Sequence, residues 1–76
     1  MPHIIVKMYP GRTPDQKASL ADALTKAMMA NLGLPESAVS VGVEDIEKAD
    51  WMDKVAKPDI AGKAATIFKK PGYEIP

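Results

Sequence analysis

Two stretches of the chain alternate between apolar and polar positions, which is typical of strands with one buried face. The first covers residues 3–9, with Ile4, Val6 and Met8 on one face. It ends at Pro10-Gly11, because proline cannot donate to a ladder and glycine permits a tight turn. In the second, Val39, Val41 and Val43 alternate with Ser40, Gly42 and Glu44. The chain is therefore predicted to contain two strands.

The segment between the strands carries the signals of one long helix. Its apolar positions, Leu20, Leu24, Ala27 and Met28, recur at helical spacing. Thr13-Pro14-Asp15-Gln16 has the form of a capping box, with proline at the first helical position. Gly33 is a natural residue to follow a helix end, so the helix should run from about Pro14 to Leu32. A strand, a crossover helix and a strand form a β-α-β unit, in which the strands lie parallel.

After Ile46 the pattern weakens and predicts only a short helical C-terminal segment. Asp50 is placed to cap a helical turn. Pro58 is placed to open a further helix at its first turn, and the charges of Lys69-Lys70 suit the end of that helix. The apolar positions of this helix would be Ile60, Ala64, Ile67 and Phe68. Gly62 weakens the prediction, since glycine costs about 1 kcal/mol relative to alanine in a helix interior.

Composition narrows the class of protein. The 76 residues predict one domain, residues 1–76. A formal net charge of zero argues against a nucleic-acid partner. Without cysteine and with His3 as the only histidine, the chain offers no basis for a metal site. No apolar run approaches the length of a membrane span and no signal peptide is evident, so a cytoplasmic location is expected.

One helix covers only one face of a two-stranded sheet, and such small sheets rarely stand alone. The other face would carry Ile5 and Tyr9. Small scaffolds without disulfides or metals often gain the missing burial by oligomerising. The predicted fold is thus a single α/β unit that is completed by another copy of the chain.

Pro2 is the first candidate for chemistry. Because Met1 precedes a small residue, its removal would leave Pro2 as a free secondary amine. An α-amino group titrates at about 7.7–8.0 in model peptides, and burial lowers the pKa of an amine. A neutral Pro2 nitrogen would then be a general base near pH 7. From Met-Pro alone, an ordinary proline with a convenient φ is the favoured interpretation.

The order of motifs along the chain supports a catalytic role for Pro2. Met1-Pro2 leads into a strand, Gly11-Arg12 follows that strand, and Trp51 follows the second. This arrangement resembles the 4-oxalocrotonate tautomerase family of amino-terminal-proline enzymes from Pro2 to about Trp51. The tail, with Lys69-Lys70-Pro71-Gly72-Tyr73, is similar to the longer bacterial members of phenylpyruvate-tautomerase type.

The resemblance implies roles for individual residues. It makes Pro2 the general base and Arg12 the residue that binds or polarises a substrate carboxylate. Arg12 is the only arginine, and its planar fork suits bidentate carboxylate binding, although a solvated turn residue is the alternative. The resemblance places Trp51 as an aromatic wall beside the proline, with a core or interface tryptophan as the alternative. His3 is expected to be structural or exposed.

Ser40 marks a departure from the family pattern. Typical members carry a second arginine in the middle of the second strand, where this chain has Ser40. The departure argues against a dicarboxylate substrate, which needs a cation at each end. A serine hydroxyl can still donate a hydrogen bond to a keto or enol oxygen. A substrate with one carboxylate and an apolar or aromatic body is therefore favoured.

The separation of Pro2 and Arg12 bears on assembly. A seven-residue strand spans roughly 23 Å, so one small substrate cannot bridge the two residues of a single chain. If both serve one site, Arg12 must come from another subunit. The resemblance implies an oligomer, with a dimer favoured by the longer C-terminal segment and a hexamer as the alternative.

Taken together, these features predict a cofactor-independent keto–enol tautomerase. Its substrate would be a small 2-keto or 2-hydroxy-enoic monocarboxylic acid of the phenylpyruvate kind. The alternative within the family is dehalogenation or hydration of an acrylic acid, for which Pro2 must be a cation. The alternative outside it is a non-catalytic oligomeric binding module, in which Pro2 matters only for stability.

Overall fold

The computed structural model describes all 76 residues, which form two compact units, residues 1–45 and residues 46–76. The first unit contains strand β1 (His3–Met8), helix α1 (Pro14–Leu32), a single 3₁₀ turn (Glu36–Ala38) and strand β2 (Ser40–Asp45). The two strands are parallel neighbours, so the predicted β-α-β unit is confirmed. The helix has the predicted bounds, β1 stops one residue earlier than predicted, and β2 begins at Ser40.

Two local devices fix the ends of α1. At its start, the Thr13 hydroxyl accepts a hydrogen bond from Gln16 N at 3.1 Å, and the Gln16 side chain accepts one from Thr13 N at 2.9 Å. The predicted capping box is therefore present. At its end, Gly33 adopts the left-handed conformation, with φ 66°, and its N–H donates to the carbonyl of Met29.

The surface of α1 carries an exposed ion pair one helical turn apart. Lys26 Nζ lies 2.8 Å from a carboxylate oxygen of Asp22. The hydrogen bond to Asp22 raises the pKa of the Lys26 ammonium above its ordinary value, and the charge of Asp22 adds to the effect.

The strand register assigns the side chains of the sheet to two faces. His3 lies opposite Ser40, and the pairing continues in step to Met8 opposite Asp45. One face is half-buried at Ile4, Val6, Val41 and Val43. The other, here called the open face, carries His3, Ile5 and Lys7 of β1 and Ser40, Gly42 and Glu44 of β2. Since α1 packs against β2 and Ile5 remains 51% exposed, the helix covers the half-buried face.

Burial in the first unit is incomplete. None of residues 1–45 is fully buried, and the apolar positions of α1 are at best half-buried. On the open face Ile5 and, just beyond β1, Tyr9 remain substantially exposed. A single chain thus leaves much of the apolar surface of its β-α-β unit in contact with water.

The second unit is built from three short helical segments. A 3₁₀ turn (Lys48–Asp50) leads through Trp51 into a π-helix (Met52–Ile60), and a 3₁₀ helix (Ala61–Thr66) follows. The π-helix holds the two buried residues of the chain, Val55 and Ala56. The predicted short helical C-terminal segment is confirmed. No helix of the structure combines the length and the apolar character needed to cross a membrane.

The finer predictions for this unit are wrong in three respects. Pro58 lies inside the π-helix rather than at the first turn of a new helix. A proline ring clashes with the carbonyl four residues earlier in an α-helix, and the wider π turn relieves that crowding. The last helix ends at Thr66, so Lys69-Lys70 lie beyond it and Phe68 is 98% exposed. Asp50 lies within the 3₁₀ turn and makes no capping hydrogen bond to the helix that follows, and its carboxylate instead contacts Lys54 at 3.4 Å.

Gly62 has a structural role that its helix propensity does not reveal. A Cβ at this position would lie 3.0 Å from the carbonyl oxygen of Lys57. Glycine therefore permits the close approach between the end of the π-helix and the following 3₁₀ helix. The latter is further distorted at Lys63, whose φ of −123° is not helical.

Candidate active site

Pro2 stands directly before β1 and is half-buried. Its carbonyl accepts a hydrogen bond from Ser40 N at 3.3 Å, which extends the parallel pairing by one step. Met1 is fully exposed, so its peptide bond is open to an aminopeptidase. While Met1 is attached, the Pro2 nitrogen is a tertiary amide and cannot accept a proton. Only the chain without Met1 presents a base at this position.

Ser40 lies beside Pro2 because of the strand register. It is the first residue of β2, not a residue in the middle of the strand as the sequence comparison implied. Its hydroxyl oxygen lies 2.6 Å from His3 Nδ1, and the direction of that hydrogen bond depends on the imidazole tautomer. Both side chains are exposed on the open face. The structure therefore brings Pro2, His3 and Ser40 together at one end of the sheet.

His3 is exposed, as predicted, but its hydrogen bond with Ser40 was not foreseen. The two residues are 37 positions apart, so no local pattern connects them. The signal that would have found the pair is the strand register, because residues directly opposite in a ladder share a face. The alternation of apolar and polar residues within each strand does not show which residues of the two strands lie opposite each other.

Arg12 lies at the other end of β1. The turn before it requires Gly11, whose φ of 124° is rarely adopted by residues with a side chain. Arg12 is exposed and lines a cavity of about 210 Å³ whose other walls come from β1 and the first turns of α1. The remaining lining residues are Met8, Gln16, Lys17 and Leu20. The six residues of β1 separate this cavity from Pro2 by roughly 20 Å, so one chain does not bring the two residues together.

A second cation lines the same cavity. Lys17 Nζ lies 2.8 Å from a carboxylate oxygen of Asp45, at the end of β2. This ion pair joins the first turn of α1 to β2 and offsets the charge of Lys17. Arg12 is thus the cation of the cavity best able to receive a carboxylate, with the planar donor geometry that favours two hydrogen bonds.

Trp51 belongs to the second unit, between the 3₁₀ turn and the π-helix. It is half-buried, and its indole Nε1–H donates to the hydroxyl oxygen of Tyr73 at 3.0 Å. Tyr73 lies in the tail, and no sequence pattern predicted this contact. The hydrogen bond spans 22 residues and fixes the indole ring to the tail.

Known proteins share the sequence and the fold of this chain. The family model described as "Tautomerase enzyme" matches residues 2–55, which include the whole β-α-β unit, Pro2, Arg12 and Trp51. The chain belongs to the tautomerase family. It is accordingly an enzyme of the tautomerase class, as the resemblance predicted.

Two relatives show how far the likeness extends. The chain is 52% identical over 73 residues to a probable tautomerase of Xylella fastidiosa, covering 96% of this chain and 89% of the relative. It is 40% identical over 76 residues to the tautomerase PptA of Cronobacter sakazakii, covering 99% of this chain and all of that protein. The likeness to PptA therefore includes the C-terminal unit that the family model does not fully cover.

Solved structures support the same fold. One is TomN, a 4-oxalocrotonate tautomerase homologue in the tomaymycin biosynthetic pathway, with 42% identity and a TM-score of 0.63 over 66% of this chain and 77% of that one. Another is a 4-oxalocrotonate tautomerase isozyme of Methylibium petroleiphilum, with 34% identity and a TM-score of 0.63 over 66% of this chain and 81% of that one. The expected 4-oxalocrotonate tautomerase-like family and fold class are confirmed.

Proposed function

We propose that the protein interconverts the enol and keto forms of a small 2-keto monocarboxylic acid of the phenylpyruvate kind. The observation that carries the proposal is the position of Pro2, half-buried at the start of β1, with its carbonyl accepting a hydrogen bond from the backbone N–H of Ser40. Once Met1 is removed, the Pro2 nitrogen is a secondary amine at the edge of a partly apolar sheet. Burial disfavours its ammonium form, which favours a base at neutral pH.

The proposed reaction moves one proton. The neutral Pro2 nitrogen takes the proton from the 2-hydroxyl of the enol, which leaves an enolate. As the oxygen electron pair forms the C2 carbonyl, the electron pair of the C2–C3 double bond takes the proton back from the Pro2 ammonium at C3. Atoms and charge balance, and Pro2 returns to its neutral form. The chemistry needs no cofactor, because a positioned base and a hydrogen-bond donor suffice for enolisation.

In this proposal, Arg12 and Trp51 bind the substrate. Arg12 is the only arginine of the chain, which favours a substrate with one carboxylate. Ser40 stands where a second cation would serve a dicarboxylate, and a hydroxyl there suits a keto or enol oxygen. Trp51 supplies an aromatic surface for the apolar body of the substrate, held in orientation by Tyr73.

The proposed site is shared between subunits. Arg12 and Pro2 lie at opposite ends of β1, so a substrate that contacts both must receive Arg12 from another copy. The incomplete burial of the β-α-β unit supports association, because small domains gain stability by burying such surfaces in an oligomer. We favour a dimer over a hexamer, with residues 1–76 acting as one domain. A cytoplasmic location remains a prediction.

The test compares the mature chain with a chain that retains Met1. We expect the mature chain to ketonise phenylenolpyruvate, with kcat/KM rising through one pKa on the acidic side as the Pro2 ammonium loses its proton. The chain with Met1 should lose most of this activity, since general acid–base catalysis is typically worth about 10²–10⁴-fold. Pro2→Ala, which leaves a primary amine, should retain part of it. Intact-mass measurement confirms the processing of each sample.

Two outcomes would contradict the proposal. Equal activity with and without Met1 would show that Pro2 is not the base. A rate that rises as the pH falls through the Pro2 pKa would instead favour the dehalogenase or hydratase alternative, in which the proline acts as a cation.

A further inference from the structure

The hydrogen bond between His3 and Ser40 is the short polar contact closest to Pro2 along the sheet. The two residues lie directly opposite each other, and Ser40 Oγ is 2.6 Å from His3 Nδ1. Both side chains are exposed, so neither is needed to satisfy a buried polar group. An exposed hydrogen-bonded pair across two strands contributes little to the free energy of folding. Its ordered geometry can therefore serve a functional role.

Ser40 is held by two contacts. Its backbone N–H donates to the Pro2 carbonyl, which holds the residue next to Pro2. Its side chain is held by the imidazole of His3. A serine with only the first contact would keep the freedom to rotate its hydroxyl among three staggered positions. The second contact selects one of them.

The direction of the hydrogen bond decides what the hydroxyl can do. A serine hydroxyl has one proton and accepts through its lone pairs. If Ser40 donates to Nδ1, its proton is used within the pair. If Nδ1–H donates to Ser40 Oγ, the hydroxyl proton is free to be donated elsewhere. We propose that His3 is a positioning residue that donates from Nδ1 to Ser40 and thereby aims the Ser40 hydroxyl proton at the C2 oxygen of the substrate.

This arrangement deepens the proposed function and rests on it. When Pro2 takes a proton from C3 of the keto acid, negative charge develops on the C2 oxygen. A preorganised hydroxyl donor stabilises that charge at no further cost of reorientation. Ser40 then contacts the reacting atoms, whereas His3 acts only through Ser40. Because the donor matters most where charge has developed, its loss should lower kcat more than it raises KM.

A double-mutant cycle on the mature chain tests the coupling. We expect Ser40→Ala and His3→Ala each to lower kcat for phenylpyruvate enolisation by roughly three- to tenfold, the range of one hydrogen bond. The double variant should be no slower than Ser40→Ala alone, because His3 has no effect without the hydroxyl. His3→Asn, whose amide can donate from a similar position, should recover part of the rate. Ser19→Ala, at an exposed serine of α1, is the matched control and should change nothing.

A spectroscopic measurement checks the direction of the hydrogen bond without relying on activity. In ¹⁵N NMR of the mature chain, Nδ1 of His3 should carry a proton, and its resonance should shift in Ser40→Ala. An Nδ1 without a proton would overturn the proposal. So would rate losses that multiply in the double variant, or unchanged kcat in either single variant. These outcomes leave the comparison with and without Met1 untouched, so they are distinguishable from a failure of the Pro2 proposal.

Discussion

At the scale of single residues, Arg12 shows how a turn presents a side chain. The positive φ of Gly11 turns the chain after β1, and Arg12 emerges exposed beside the capped start of α1. The neighbouring Lys17 is held by Asp45 at 2.8 Å. The cavity therefore combines one exposed guanidinium with an ammonium whose charge is already offset, an arrangement suited to a single carboxylate.

Replacement of Arg12 should weaken substrate binding more than it slows the chemical step. We expect Arg12→Ala to raise KM for phenylenolpyruvate with a smaller fall in kcat, the result for a bond to the carboxylate that is equally strong in the ground and transition states. Arg12→Lys should recover only part of the loss, since an ammonium lacks the planar fork. Lys26→Ala, which removes an exposed cation elsewhere on α1, serves as the control. Steady-state kinetics that match the unmodified protein for every carboxylate substrate would show that Arg12 is only a surface residue.

At the scale of elements, the bounds of α1 depend on the residues at its two ends. The capping box and Gly33 set its bounds, while none of its residues is fully buried. The C-terminal unit behaves differently, because Pro58 and Gly62 produce a π-helix and a 3₁₀ helix in place of one regular helix. Local chemistry thus determines where α1 begins and ends, and backbone crowding determines the form of the last segments.

Gly33 offers a clean test of the helix end. A Cβ at Gly33 would meet no atom within 4 Å, so Gly33→Ala adds only the backbone cost of its positive φ. We expect the free energy of unfolding to fall by about 1 kcal/mol, and Gly33→Asn to cost less because asparagine tolerates this conformation. Gly72→Ala, in open space and without a positive φ, is the control. Urea unfolding at one fixed protein concentration measures all three, and an unchanged midpoint for Gly33→Ala would contradict the assignment.

At the scale of the whole molecule, the chain is incomplete in two ways. The open face leaves Ile5 exposed next to Tyr9, and the candidate site has its base and its guanidinium at opposite ends of one strand. In the proposed assembly, a second copy of the chain would cover the open face and supply the guanidinium to the site. The proposed assembly therefore belongs to the catalytic site as much as to stability.

Mixing of two impaired variants tests the shared site. We expect sedimentation to show an oligomer at micromolar concentration. A chain that retains Met1 and a mature Arg12→Ala chain should each be impaired, while co-refolding them should recover activity, because some sites then combine an intact Pro2 amine with an intact Arg12. A mixture no more active than its two components, or a stable monomer in sedimentation, would refute a site shared between subunits.

Sequence alone determined the features that depend on neighbours along the chain. The alternation in both strands, the capping box at Thr13 and the stop at Gly33 predicted the β-α-β unit almost to the residue, because these signals act within a few positions. The order of Pro2, Gly11-Arg12 and Trp51 likewise indicated the family, which the match over residues 2–55 confirmed. The form of the last helices was missed because Pro58 and Gly62 act through the crowding of backbone atoms, which helix propensity does not describe.

Only the tertiary structure decided which side chains meet. The register put His3 opposite Ser40 and brought the Ser40 N–H to the Pro2 carbonyl, and the tail placed Tyr73 on the indole of Trp51. Contacts between residues 22 or 37 positions apart depend on how strands pair and segments fold back. A one-residue change of register would remove the contact between His3 and Ser40. No local pattern along the chain contains that information.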